Sequence, residues 1–289
     1  MNCYICNNSK NINFLDNYKL EIYEDNIYFK DAKIYKCEDC DFSFVSPMPK
    51  QHDLNFFYEN VYRQINRPPF WITNDYKERK KNYLEDKILS YLLYITSFID
   101  VQNINTVYDF GCGDGDLGFA LKKKFSQLKL FCSEADSQCK KILEERNYTN
   151  FKDINKIEKK FDLILTTHSL EHMTDLKIFS KFKEMLKPGG FIFFEVPNCT
   201  KEYFDGRIYD SPHLLFFTKK SIKKIAEKYN FELFNLNLSA YSFNKDHKAQ
   251  KESQDLYYNF YGKSRHGKKK GGGAVVRWKN LFINDKRLN

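Results

Sequence analysis

Short apolar runs alternate with helical patterns through the middle of the chain. Val107 and Tyr108 begin a short apolar strand, and residues 128–132 and 161–167 are largely apolar runs of strand length, which is typical of strands buried on both faces of a parallel sheet. After the first run, apolar side chains recur at helical spacing at Leu117, Ala120, Leu121 and Phe125. This alternation predicts an α/β fold, a doubly wound and mostly parallel sheet with helices on both faces.

The flanking segments continue the same pattern. Residues 191–196 predict a further buried strand, residues 231–238 another, and residues 274–282 its antiparallel partner. Upstream, a long helix over residues 75–100 is predicted by apolar positions at Leu84, Ile88, Leu92, Ile95 and Ile99. Residues 255–262 are either a cap beside the substrate or a partly ordered insertion.

The first strand runs directly into a glycine-rich turn. Asp109 is followed by Gly111, Gly113 and Gly115, and bare backbone of this kind can approach a ligand closely. The glycines also satisfy the dinucleotide pattern G-x-G-x-x-G. However, a carboxylate at the strand end disfavours a pyrophosphate and suits the ammonium and sulfonium of S-adenosylmethionine. Glu134, after the second strand, is spaced to bind ribose hydroxyls, and NAD has these as well.

The third strand decides between the two cofactors. It leads into His168-Ser169-Leu170-Glu171-His172, and later come Leu186-Lys187-Pro188-Gly189-Gly190 and a strand ending at Pro197-Asn198. This order closely resembles the class I S-adenosylmethionine-dependent methyltransferases over about residues 105–240. The resemblance implies a seven-stranded sheet in the order 3-2-1-4-5-7-6 with an antiparallel last strand. It also implies a cofactor-binding set of Asp109, Gly111, Gly113, Gly115, Glu134, Ala135, Asp153, Ile154 and Thr167.

Two C-x-x-C pairs lie near the amino terminus. Cys3 and Cys6 form one pair, Cys37 and Cys40 the other, and two such knuckles can complete a tetrahedral Zn²⁺ site. A redox pair or disulfides are the alternatives, and disulfides are unfavoured in a cytoplasmic chain. Residues 41–49 resemble the segment that follows the zinc ribbon in methyltransferases of sugar and surface-polysaccharide modification. We therefore expect a zinc ribbon at 1–60, a helical connector at 61–104 and a methyltransferase domain at 105–289, with 245–273 an insertion or mobile loop.

Histidines are the candidates for removing a proton from the methyl acceptor, since their pKa lies near neutrality. His213 precedes a predicted helix at 221–229 and resembles the segment that borders the acceptor pocket in related enzymes, so it is the first choice as general base. His168 is the second, while His172 is expected to fix the turn after its strand. Glu195 is expected to be an acid at the edge of the core.

Composition and absent motifs narrow the acceptor. The net charge of +9 suits a phosphate-bearing substrate, but it lacks the clustering typical of nucleic-acid binding. No membrane-span or secretory pattern is seen, so a cytoplasmic protein is expected. The chain lacks the [DN]-P-P-[YFW] motif of amino-group methylation, and it ends without the extra domain of deoxysugar C-methyltransferases. We expect O-methylation of a nucleotide-linked sugar or a similar polysaccharide precursor. RNA methylation and a non-catalytic cofactor-binding scaffold are the alternatives.

Overall fold

The amino-terminal part of the computed structural model is a small antiparallel sheet. The structure describes residues 1–20, 29, 31–61, 87–205, 207, 209, 212–238 and 277–284. The small sheet contains β1 (Ile12–Asn17), β2 (Lys33–Cys37) and β3 (Phe42–Ser46), and a short helix, α1 (Gln51–Phe56), follows it. A π-helical turn at Phe57–Val61 and a helix over residues 87–98, α2, come next along the described chain.

The remaining elements alternate as the hydrophobic pattern predicts. The strands are β4 (Thr106–Phe110), β5 (Lys129–Ser133), β6 (Tyr148–Asn150), β7 (Phe161–Thr167), β8 (Leu186–Pro197), β9 (Leu215–Phe216), β10 (Glu232–Leu238) and β11 (Arg277–Ile283). The helices are α3 (Asp116–Lys124), α4 (Lys140–Glu145), α5 (Ile178–Met185), α6 (Lys201–Phe204) and α7 (Lys219–Lys228). Short 3₁₀ turns include Ile154–Lys156 and Leu170–His172.

The large sheet has the strand order expected from the sequence. Its seven strands lie in the order β10-β11-β8-β7-β4-β5-β6. Strands β6, β5, β4, β7 and β8 are parallel, and β11 is antiparallel to both of its neighbours. The predicted order 3-2-1-4-5-7-6 and its antiparallel last strand are confirmed, and the predicted pairing of 231–238 with 274–282 is confirmed for the described residues, where β10 pairs with β11.

Both faces of the large sheet are buried, which explains the continuous apolar runs. On β8, Ile192 and Phe194 face a core completed by α5 and α7, while Phe193 faces the core beneath α2, α3 and α4. Helix α7 begins at a capping box formed by Thr218 and Ser221, which satisfies backbone N–H groups of its first turn. These two cores hold the carboxyl ends of the parallel strands in fixed positions.

The small sheet includes a strand that the sequence pattern does not reveal. β9 pairs antiparallel with β3, through Ser43↔Phe216 and Phe44↔Leu215. The Val45 N–H also donates to the Leu214 carbonyl at 2.9 Å. The chain just after His213 is therefore part of the cysteine-bearing sheet.

Several sequence predictions fall wholly or partly outside the described residues. The first part of the predicted 75–100 helix, with Leu84, lies there, whereas residues 87–98 are helical. The expected insertion at 245–273 and the 255–262 segment also lie outside. In the described part of the chain, no helix combines the length and the apolar composition that a bilayer crossing requires.

Candidate functional site

The glycine turn after β4 requires glycine at several positions. Gly111, Gly113 and Gly115 have φ values of +61°, +58° and +73°, in the left-handed region that side chains disfavour. A Cβ on Gly111 would also lie 2.3 Å from the Ser169 Oγ. The turn is thus seated directly against the segment that follows β7.

Asp109 is a buried acid one residue before the end of β4. Its side chain is 3% exposed. Burial raises its pKa to about 8, with a further contribution from the charge of Glu134, although the Gly118 N–H opposes the rise. A buried carboxyl whose charge is this costly favours a cationic neighbour, because a cation restores the ionised form.

Glu134 links the glycine turn to the end of β5. Its Oε2 accepts a hydrogen bond from the Gly113 N–H at 2.6 Å, and its Oε1 accepts one from the Asp136 N–H at 2.9 Å. An ionised carboxylate has about four acceptor positions, so each oxygen can accept a second bond. The side chain is therefore held in place and can still accept hydroxyl groups.

The other predicted cofactor-binding residues lie at the same edge of the sheet. Ala135 is exposed and follows Glu134. Asp153 follows β6, and its carboxylate accepts from the Asn155 N–H at 2.9 Å, which caps the turn that begins at Ile154. Thr167 ends β7, where its carbonyl is 3.3 Å from the Ser169 Oγ. Because β4, β5, β6 and β7 are parallel, their carboxyl ends lie at one edge of the sheet, which is where open α/β sheets usually bind ligands.

His168 lies between two buried carboxylates at this edge. Its Nε2 is 3.1 Å from Glu195 Oε1, and its Nδ1 is 3.5 Å from Glu171 Oε1. The His168 side chain is 27% exposed, whereas each glutamate is only 1% exposed. The Tyr91 hydroxyl, from α2, donates to Glu195 Oε1 at 2.6 Å. His168 is therefore held at this edge of the sheet by two buried carboxylates.

His172 and His213 form a second histidine pair beside Glu171. Their ring centroids are 4.9 Å apart. His172 Nδ1 is 2.8 Å from the Pro212 carbonyl oxygen and 2.9 Å from the Tyr58 hydroxyl, so this ring joins the turn after β7 to two distant segments. His213 Nδ1 is 2.9 Å from the Tyr203 hydroxyl. The structure thus places the predicted base next to the residue predicted to be structural.

The Glu171 carboxylate is the centre of the histidine cluster. Burial alone would raise its pKa, but the adjacent imidazoles of His168, His172 and His213 outweigh burial, and the pKa falls to about 2. From the sequence, the L-E-H segment is predicted only to form a turn, with no chemical role for Glu171. The L-E-H motif could have indicated such a role, because adjacent glutamate and histidine side chains at the end of a strand can lie in one site.

Arg207 is a further residue that sequence analysis missed. Its guanidinium carbon is 3.8 Å from the ring centroid of Tyr203, and its Nε donates to the Tyr203 carbonyl at 2.8 Å. Tyr203 also contacts His213, so a fixed positive charge lies close to the histidine cluster. No motif marks Arg207, because its proximity depends on how the chain folds between β8 and β9.

The four amino-terminal cysteines form a compact cluster. The sulfur atoms of Cys3, Cys6, Cys37 and Cys40 all lie within 4.8 Å of one another, and none is in a disulfide. Cys6 Sγ and Cys37 Sγ are 3.7 Å apart, and a tetrahedral site with Zn–S bonds of ~2.3 Å requires a separation of about 3.8 Å. Burial raises the pKa of Cys3 to about 12, a cost that a bound cation would remove.

The other cysteines follow a different pattern. Cys132, Cys139 and Cys199 are buried, as expected for small apolar side chains, and Cys112 is half-buried in the glycine turn.

The sequence matches the methyltransferase domain family over residues 76–236. It is 28% identical over 144 residues to an uncharacterized protein of Mycoplasma genitalium, a match that covers 46% of this chain and 29% of that protein. The match thus spans less than a third of that relative.

Two solved structures share the fold. One is magnesium protoporphyrin IX methyltransferase of Synechocystis with bound S-adenosylhomocysteine, at 11% identity and a TM-score of 0.52, covering 82% of this chain and 100% of that one. The other comes from the Haloferax volcanii complex of the Trm112 activator with a methyltransferase, at 12% identity and a TM-score of 0.52, covering 72% and 94%.

Proposed function

From the premise that this chain belongs to the methyltransferase domain family and depends on S-adenosylmethionine, we propose that its acceptor is a hydroxyl group on a nucleotide-linked sugar or another small precursor of capsule or surface polysaccharide. The observation that supports a hydroxyl acceptor is the histidine cluster at the carboxyl ends of β7 and β8. A hydroxyl must lose a proton during methyl transfer, and this cluster offers nitrogens beside the cofactor turn.

The proposed cofactor position follows the ends of the parallel strands. Asp109 and the backbone of the glycine turn border the methionine end, where the buried acid favours the cationic ammonium and sulfonium. Glu134 accepts the ribose hydroxyls, beside Ala135. Asp153 and Ile154 flank the adenine. Thr167 ends β7 two residues before Ser169, whose hydroxyl contacts the Gly111 carbonyl of the glycine turn. This position beside the turn supports placing Thr167 between the cofactor and the acceptor.

Methyl transfer is an in-line displacement, so the acceptor oxygen must lie opposite the sulfonium and lose its proton as the bond forms. We assign His213 as the general base, with His168 as the second candidate. The Tyr203 hydroxyl holds the His213 ring, and Glu195 holds the His168 ring. These fixed orientations support a role in proton transfer.

The charge beside the cluster supports a phosphate-bearing acceptor. Arg207 is stacked on Tyr203, next to His213. Guanidinium groups bind phosphate through two parallel hydrogen bonds, so Arg207 is suited to the diphosphate of a nucleotide-linked sugar.

The four cysteines are proposed to hold one structural Zn²⁺. Tetrahedral thiolate sites of this kind are closed and stabilise small folds. In this role the ion supports β3 and, through it, the chain after His213. It takes no direct part in methyl transfer.

The test is a product assay that measures S-adenosylhomocysteine with nucleotide-linked sugars and RNA in parallel. His213→Ala and His168→Ala are compared with His52→Ala, an exposed histidine outside the cluster. Loss of the base should lower the rate by about 10²–10⁴ without changing cofactor affinity. Turnover with RNA alone, with steep salt dependence, would replace the sugar proposal by the RNA alternative.

A further inference from the structure

The Glu171, His172 and His213 side chains form a cluster of metal-ligand type. One donor atom from each lies within 4.8 Å of the other two. The residues come from the turn after β7 and the segment before β9. The Leu214 N–H donates to the Glu171 carbonyl at 2.6 Å, which joins the two segments through the backbone. This backbone hydrogen bond fixes the two segments that carry the three side chains relative to each other.

The hydrogen bonds of both imidazoles favour metal binding. The Pro212 carbonyl oxygen can only accept, so its 2.8 Å bond to His172 requires the proton on Nδ1. Nε2 is then the basic nitrogen of His172. The Tyr203 hydroxyl is 2.9 Å from His213 Nδ1 and can hold that ring in the same tautomer. Metal-binding histidines in proteins commonly have their second nitrogen fixed in this way.

The carboxylate of the cluster is buried without full hydrogen bonding. Both Glu171 oxygens lack a hydrogen-bond partner of ordinary geometry among the described residues. The closest ionic contact is His168 Nδ1, 3.5 Å from Oε1. The neighbouring imidazoles stabilise this buried anion by charge and not by hydrogen bonds of ordinary geometry, so both oxygens can still coordinate a cation.

We propose that Glu171, His172 and His213 bind one divalent first-row transition-metal ion. Two imidazoles and one carboxylate suit such ions better than Mg²⁺ or Ca²⁺, which prefer oxygen ligands. Three protein ligands leave coordination positions for an acceptor hydroxyl, and a bound cation lowers the pKa of that hydroxyl. This role rests on the proposed O-methyl transfer, whereas the binding of the ion does not.

Metal binding and general-base catalysis are two alternative roles of His213. In the metal-loaded protein the proton of the acceptor hydroxyl passes to His168, the second candidate base, whereas without the ion it passes to His213. Both predict that His213→Ala lowers turnover, so a rate alone does not distinguish them. Direct metal binding does, because a base that acts without an ion requires no affinity for Mn²⁺. The measurement also needs no acceptor, so an error in the proposed acceptor would not affect it.

The experiment is a Mn²⁺ titration of the zinc-loaded full chain, followed by electron paramagnetic resonance. Zinc is loaded at one equivalent per chain, which the four thiolates bind in preference, so the cysteine site is occupied while the Glu171 cluster is left for Mn²⁺, which prefers oxygen and nitrogen donors. We expect one bound Mn²⁺ per chain with ¹⁴N couplings from imidazole. Glu171→Gln and His213→Asn should each weaken binding by at least about 100-fold, while His52→Ala should leave it unchanged.

Two further measurements distinguish the loss of a metal ligand from misfolding of a variant. Binding of S-adenosylhomocysteine should be unchanged in Glu171→Gln, which is nearly isosteric. Tyr203→Phe should weaken Mn²⁺ binding by about 10–100-fold, since it removes only the hydroxyl that holds His213. Absence of Mn²⁺ binding by the folded wild-type chain, or binding that Glu171→Gln and His213→Asn both retain, would overturn the proposal.

Discussion

Replacing Glu134 by alanine should weaken S-adenosylmethionine binding by about 2–3 kcal/mol. The magnitude follows from the loss of two hydrogen bonds from the ribose hydroxyls to a charged carboxylate. Water recovers part of the free energy of each bond in the variant. It corresponds to an increase in Kd of about 30- to 160-fold. The bond from Gly113 to Glu134 is lost in both the free and the bound variant, so it contributes mainly to the stability of the turn.

Isothermal calorimetry with two ligands separates the ribose contribution from the effect on the turn. S-adenosylhomocysteine is compared with an analogue that lacks both ribose hydroxyls, in a double-mutant cycle with wild type and Glu134→Ala. If Glu134 binds the hydroxyls, the substitution should have little effect on the analogue. Glu145→Ala is the control for the change in charge, because Glu145 is an exposed acid on α4.

Two results would refute this reasoning. Equal weakening of both ligands would mean that Glu134 acts only by supporting the glycine turn. A Glu134→Ala variant that binds S-adenosylhomocysteine within about threefold of wild type would remove Glu134 from the cofactor site. Glu134→Gln is a poor substitute control, since both carboxylate oxygens accept backbone N–H bonds and an amide nitrogen cannot.

Three further predictions concern the surroundings of the site. Asp109 has a folded pKa of about 8, above its unfolded value, so the stability that its neutral form provides is present below about pH 4 and is lost as the pH rises to about 8. In urea unfolding of the cofactor-free protein, the free energy of unfolding should therefore fall with pH by up to about 1.4 kcal/mol per pH unit, and Asp109→Asn should remove this fall. The same pH dependence in wild type and Asp109→Asn would contradict the burial argument. Cys6→Ser should release zinc and lower turnover through β3 and β9, with the Kd for S-adenosylhomocysteine unchanged; full activity in zinc-free protein would exclude this coupling. Gly111→Ala should destabilise the fold by about 1–3 kcal/mol in thermal unfolding, since it adds left-handed strain and a clash with Ser169. Gly189→Ala is the control and should destabilise the fold less, because Gly189 has a similar φ of +73° but no neighbour within 4 Å.

The large sheet was predictable because its signals are local. Most of its strands are short, largely apolar runs, although the short, polar β6 is not marked in this way, and the glycine turn needs glycine at positions that the sequence shows directly. Even the antiparallel pairing of β10 with β11 followed from two apolar segments. The family resemblance supplied the strand order, which composition and periodicity alone do not determine.

The features that the sequence missed depend on contacts between distant segments. β9 has only two residues, too few for a periodic signal, and its partner β3 lies about 170 positions earlier. Glu171 forms a cluster with His213, about 40 positions later in the sequence, only because the fold brings the two residues together. Tyr91 on α2 reaches Glu195 although the apolar spacing emphasised Ile88 and Leu92. Such contacts are set by packing, and no single segment encodes them.

The most direct test of the account is where a labelled methyl group arrives. The full chain is incubated with S-adenosylmethionine bearing a deuterated methyl group and, in parallel reactions, with a panel of nucleotide-linked sugars and with RNA, and the products are analysed by mass spectrometry and NMR. The account predicts S-adenosylhomocysteine and a sugar nucleotide that carries the labelled methyl group on oxygen, with the rate greatly reduced in His213→Ala. A labelled methyl group found only on nitrogen, carbon or RNA would contradict the proposed acceptor, and the absence of any transfer with all acceptor classes would contradict the account as a whole.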